Sequence, residues 1–255
     1  MKQTIKIQAL TDWKDITLSK YLELMADIDA YKDDQEAVDA LMLHHLCGIP
    51  YEEIPNVSAE SYKILKGKLS QFLKPEDMEL QKFITIGDTQ YGFEPNLSKI
   101  TYGAYADISQ YDTISIDKNW AKIMSILYRP VTKKDRHGLY QIEQYTGKLN
   151  ETIWLDVTMD IHFGCLFFFS QFATGLNERY PELFDGDGST SQHQINFGRK
   201  WRAYSTIFEL AEGDLEKIDR VVEEPLEKCL LFLAYKSDKN RLEAMIHREA
   251  IKSIK

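Results

Sequence analysis

The chain has 255 residues, 44% of them apolar and 28% charged, and a formal charge of −9. One or two domains fit that length, the apolar share suffices for a core and argues against global disorder, and the negative field repels polyphosphate, which sets nucleic acid aside as a partner. Cys47, Cys165 and Cys229 are odd in number, far apart and set among apolar neighbours, the pattern of reduced thiols in a cytosolic protein.

"TIKIQAL" alternates like a short strand, and the polar N-terminus has no apolar core of a secretory signal. Thr17 then caps a helix with Leu18, Tyr21, Leu22 and Met25 on one face. A second helix follows "KDDQ", with Val38, Leu41, Met42 and Leu46 at helical spacing and Gly48 as its stop. Ser58 caps a third, with the stripe Tyr62, Leu65, Leu69 and Phe72, and Pro75 closes a helical module over residues 1–80.

The period then falls from 3.6 to 2: "FITI" and "TQYGF" flank Gly87 and Asp88 and predict a β-hairpin. Next, "ITYGAYADI" (Ile100–Ile108) repeats "ITLSKYLEL" (Ile16–Leu24), and further on Asp33 falls on Asp117, Ala37 on Ala121 and Leu43 on Leu127. The overlay marks either a tandem duplication of a strand-helix-helix module or convergent use of one capping pattern. Both predict a strand, a turn and a helix from about Ile100, and another helix over Lys118–Tyr128. Pro130 ends the latter, and the basic run Arg129, Lys133, Lys134, Arg136 and His137 reads as a solvated loop, as does Arg199, Lys200 and Arg202 as a loop or helix face.

"LYQIEQY" reads as another strand, and Leu155–Leu176 as a long helix whose Phe163, Leu166, Phe167 and Ser170 would bury it on most sides and make it central. Its apolar run, broken by His162, Ser170 and Gln171, falls short of the ~20 residues a membrane span needs, so no membrane role is implied. A second module thus covers 81–180, a polar, glycine-rich flexible linker 181–198, and a helical C-terminal segment 199–255. The fold class is mainly α with small β-hairpins (α+β).

Catalytic signatures are absent: there is no GxSxG, GxxxxGK[ST], HExxH, or GxGxxG after a strand. "DGDGS" (Asp185–Ser189) begins like a calcium loop but has Thr190 and Asn196 where glycine and a bidentate glutamate belong. His44 and Cys47 share a helix face beside His45, but two ligands make no zinc site. His162 near Asp160 and Asp156 could serve acid-base work, although a lone histidine on an apolar helix reads first as a core residue. No cofactor, metal or catalytic residue is assigned.

The succession "DITLSKYLEL", "EAVDALMLHHLCGIPYEEI", "YGFEPNLSKITYGAYADI", "KIMSILYRPV", "YQIEQYTG", "MDIHFGCLFFFSQF" and "ELAEGDLEKIDRVVEEPLEKCLLFLAYKSDKNRLEA" resembles a group of uncharacterised tailed-bacteriophage proteins encoded among virion morphogenesis genes, some of them similar to tail assembly chaperones. The resemblance spans nearly the whole chain and carries over no functional residue. It implies a non-enzymatic role in building the particle, with phage tail or other virion proteins or further copies of the chain as partners, in the host cytoplasm or the virion. Leu226, Leu230, Leu231 and Leu233 of the C-terminal segment are the expected partner contact.

Two other classes compete. A small-ligand enzyme would gather His162, Asp160 and tyrosines of the second module around a pocket. A helix-turn-helix regulator would use "DDQEAVDALMLHHLCGIPYEEI", but its second segment is acidic and contains Pro55, the wrong chemistry for a DNA groove.

Overall fold

The computed structural model describes residues 12–72, 78–112, 116–184 and 192–254. In chain order these form helices α1 (Leu18–Ala30), α2 (Gln35–Cys47) and α3 (Ala59–Phe72), strands β1 (Phe83–Ile86) and β2 (Thr89–Phe93), and helices α4 (Tyr102–Asp112) and α5 (Ile116–Leu127). Strands β3 (Tyr128–Lys134) and β4 (Tyr140–Ile142) follow, then helices α6 (Met159–Arg179), α7 (Pro181–Phe184), α8 (Gln192–Leu210), α9 (Ile218–Glu223) and α10 (Leu226–Ile254). The protein is mainly α with one small antiparallel sheet of order β1-β2-β3-β4. The strand expected in "TIKIQAL" lies outside the described residues.

Two compact units form, Met1–Gln81 with Asn150–Phe168, and Lys82–Leu149 with Phe169–Lys255. Each unit is assembled from separated stretches, unlike the consecutive modules 1–80, 81–180 and 199–255, because pairing between residues distant in sequence leaves no trace in local periodicity. Of the expected linker 181–198, residues 185–191 lie outside the described residues, and the flanking parts belong to α7 and α8.

In the first unit the helix ends are set by local hydrogen bonds. The Asp34 carboxylate accepts from the amides of Glu36 and Ala37, the Ser58 hydroxyl accepts from Ser61, and Gly48 turns left-handed at φ 64° so that its amide reaches the His44 carbonyl. Ile16, Leu18, Leu24, Leu43, Leu46, Trp154, Met159 and Cys165 make up its core. After α2 the chain makes a 3-10 turn, Tyr51–Asn56, with Pro55 inside it, where a helix-turn-helix would need its reading helix.

An antiparallel bridge joins the beginnings of two helices here. The amide of Leu18 donates to the Val157 carbonyl (3.0 Å) and that of Met159 to the Ile16 carbonyl (2.8 Å), which satisfies first-turn N–H groups that no helix can satisfy itself. The second unit repeats the device: Tyr102 donates to Glu224 (2.8 Å) and Leu226 to Ile100 (2.8 Å). Thr17 and Thr101 stand at the same place in each, with side chains accepting from the amides of Lys20 and Ala104. Ile100 therefore enters a two-residue bridge and not a strand.

The β1-β2 hairpin forms as predicted, but the basic run after α5 does not make the expected loop. It is strand β3, and Arg129 is buried, its guanidinium paired with Glu94 and donating to the Ile126 carbonyl. Pro130 stands opposite Tyr91 in a pair that exchanges no hydrogen bond with β2, and on its other side its carbonyl accepts from the amide of Glu143, just past the end of β4. Lys134 lies over the Phe83 ring at 3.9 Å. Only Arg136 and His137 remain in the turn.

Helix α6 is also less enclosed than expected. Met159, His162, Cys165, Phe169 and Leu176 line one buried face, while Phe167, Phe168, Ser170 and Gln171 on other faces are exposed.

Candidate interaction surface

Among the leucines expected to contact a partner, Leu226, Leu230 and Leu233 are buried in the chain's own core, together with Cys229 and Ala234. Leu231 alone is open, at 63%. At 100° per residue it begins a second stripe on the opposite side of α10, continued by Tyr235, Leu242, Met245 and Ile246, all exposed. From Asp238 to Lys252 every residue of this helix is exposed. An isolated helix of that length is marginal in water, and tertiary packing ordinarily stabilises it. The stripe is thus an amphipathic face that no element among the described residues covers.

Helix α8 carries the second such feature. Phe197, Trp201, Tyr204 and Phe208, each 40–59% exposed, form one continuous row with ring centroids 6.4, 5.7 and 6.5 Å apart. The row runs across a break at Arg202, whose φ of 41° and ψ of −130° interrupt the helix. Arg199, Lys200 and Arg202 flank it, Lys200 sits 4.9 Å above the Trp201 ring, and no carboxylate occurs from Gln192 to Phe208. Between α4 and α8 a cleft of about 300 Å³ is lined by Ala106, Ser109, Gln110, Ala203 and the two arginines, with Arg202 donating to the Gln110 carbonyl. The aromatic spacing is visible in the sequence. Its exposure is not, since the same spacing serves a buried stripe equally well.

The remaining chemistry-bearing residues are engaged in packing. His162 is fully buried, its Nδ1 is 2.9 Å from the Thr158 carbonyl, and burial pushes its pKa down to about 4 against the opposing pull of that carbonyl and Asp160. Asp160 accepts from the Thr158 hydroxyl (2.5 Å) and the Gln81 amide (3.0 Å), whereas Asp156 is exposed. This is a neutral core histidine at neutral pH. The tyrosines proposed to join it belong to the second unit, where Tyr145 donates to Asp107 at 2.6 Å, with burial and that carboxylate raising the phenol's pKa.

His44 contacts the Ile49 carbonyl and His45 the Asp27 carboxylate, both at 2.8 Å, while burial raises the Cys47 thiol's pKa. Among the described residues no group of three His, Cys, Asp or Glu side chains is placed to hold a metal. "DGDGS" lies outside them. A second cavity, of about 360 Å³, has Tyr102, Glu182, Thr206, Glu209, Ser237 and Asn240 in its wall, and burial raises the Tyr102 pKa to about 12. Among the described residues no helix is long and apolar enough to cross a membrane.

No family model, no curated protein and no solved structure matches this chain.

Proposed function

We propose that the protein is a non-enzymatic bacteriophage morphogenesis protein, a tail assembly chaperone or a minor structural subunit of the virion, acting through protein contacts in the infected cell or the particle. The observation that carries the contact role is helix α10, which carries Leu231, Tyr235, Leu242, Met245 and Ile246 in one exposed apolar stripe and is exposed on every side from Asp238 to Lys252. Such a face fits an apolar groove on a partner through anchors at helical spacing. The phage setting rests on the resemblance in segment order described above.

Quantitative mass spectrometry of purified particles beside infected-cell lysate tests the reading. A fixed whole-number ratio to capsid or tail subunits is the result for a virion component. Abundance in lysate, absence from particles and co-purification with tail proteins is the result for a chaperone. Leu242→Asp with Ile246→Asp should release the partner in either case. Absence from particles together with no tail or capsid protein on the affinity-captured chain would refute the proposal.

A further inference from the structure

We propose that the chain associates with itself head to tail, the aromatic and basic face of α8 on one copy receiving the acidic 3-10 turn Tyr51–Asn56 of the next. Self-association of this kind goes beyond the morphogenesis reading and does not depend on it, because the two surfaces alone carry it.

The charge distribution selects the occupant. Between residues 23 and 60 ten acidic residues stand against a single lysine, Lys32. Residues 192–208 of α8 are the reverse, with Arg199, Lys200 and Arg202 and no carboxylate. In a chain of charge −9, a basic face with four exposed rings is complementary to this chain's own acidic module. That module also presents an aromatic at its acidic edge: Tyr51 is exposed at 48%, directly before the exposed Glu52 and Glu53. A tyrosine can pack on the ring row while the carboxylates meet the guanidinium groups at the α4-α8 cleft.

Pairing α8 with α8 across a two-fold axis would set these three cations against three more, a like-charge contact that costs affinity. The donor and acceptor patches are different surfaces, so the contact is heterologous, and each bound pair leaves one patch of each kind open. Chains or rings are the expected products.

The test uses full-length protein in sedimentation velocity and light scattering over a wide concentration range, at low salt and near 1 M, where the screening length falls from about 10 Å to about 3 Å. Wild type should grow in mass with concentration and lose mass in high salt. Arg199→Glu with Lys200→Glu breaks one patch, and Glu52→Lys with Glu53→Lys breaks the other; each variant alone should remain monomeric. Mixed together, each retains the patch the other lacks, so the mixture should reach two chains, with both intact patches used, or go further only where the reversed charges pair as well. All four substitutions on one chain restore complementarity with reversed sign and should restore self-association. Wild type that is monomeric throughout, or either charge-reversed variant associating as wild type does, would overturn the proposal. So would a chain that stays monomeric while binding anionic vesicles or a single-stranded oligonucleotide, which would give the α8 face to lipid or nucleic acid.

Discussion

Helices α6 and α10 begin alike and are then used differently. Each starts one residue after a bridge in which its first amide reaches the carbonyl of a buried isoleucine, Ile16 or Ile100, and each buries that first residue completely, Met159 or Leu226. Four residues past the bridge the pair is His162 and Cys229, both buried. Two residues further on the likeness ends. Gly164 stands where α10 has Leu231, and it lies so close to the segment before β1 that a Cβ there would come within 2.5 Å of the Glu79 carbonyl oxygen. Cys165 is fully buried, while its counterpart Phe232 is half exposed. In the first unit the chain's own Met78–Gln81 stretch covers this face, and in the second unit the same face stays open. A shared backbone device thus fixes how a helix begins, and the side chains further along decide whether it is completed internally or from outside.

The two first residues give the largest expected effect and the closest parallel. Met159→Ala and Leu226→Ala each empty a fully buried site and should each cost about 2–5 kcal/mol in urea unfolding. A near-zero cost for one of them would break the equivalence of the bridges.

His162 distinguishes the units by pH. Its folded pKa, about 4, lies below the ordinary value of 6.5, so the unfolded chain binds the proton first. The stability it supports is complete above about pH 6.5 and declines as pH falls towards 4, by up to about 3 kcal/mol. His162→Cys, which copies Cys229, should remove that slope from the pH dependence of unfolding; a slope unchanged in the variant would place its origin elsewhere.

Gly164→Ala should cost about 1–3 kcal/mol, because the neighbour it meets is backbone and has no rotamer to change. Leu231→Ala, at the equivalent position, should change stability by less than about 0.5 kcal/mol while weakening partner capture. Equal thermal shifts for the two would mean that the α10 face is covered within the chain.

Much of the local order was legible. The caps Thr17 and Ser58, the Gly48 stop and the hairpin around Gly87 and Asp88 depend on residues within four positions of one another, and short-range chemistry is what a sequence displays. The core assignment of His162 followed from the same kind of pattern. Strand β3 was missed because Pro130 and three cations argue for a loop wherever the alternating ladder and a Glu94 partner for the buried Arg129 are out of view. The expected leucine patch was divided for a related reason. Helical spacing sets Leu231 apart from Leu226, Leu230 and Leu233, but does not show which of the two faces the chain buries.

The amino-acid order by itself determined the first three helices, the β1-β2 hairpin, the mainly α class and the acidic bias of residues 23–60, since propensity, periodicity and charge are properties of neighbours. Tertiary structure alone decided that Ile16 meets Val157 and Met159, that Ile100 meets Glu224 and Leu226, and that the apolar stripes of α8 and α10 stay uncovered. Burial is a relation between residues far apart in sequence, and the same apolar spacing serves a core and a contact surface alike.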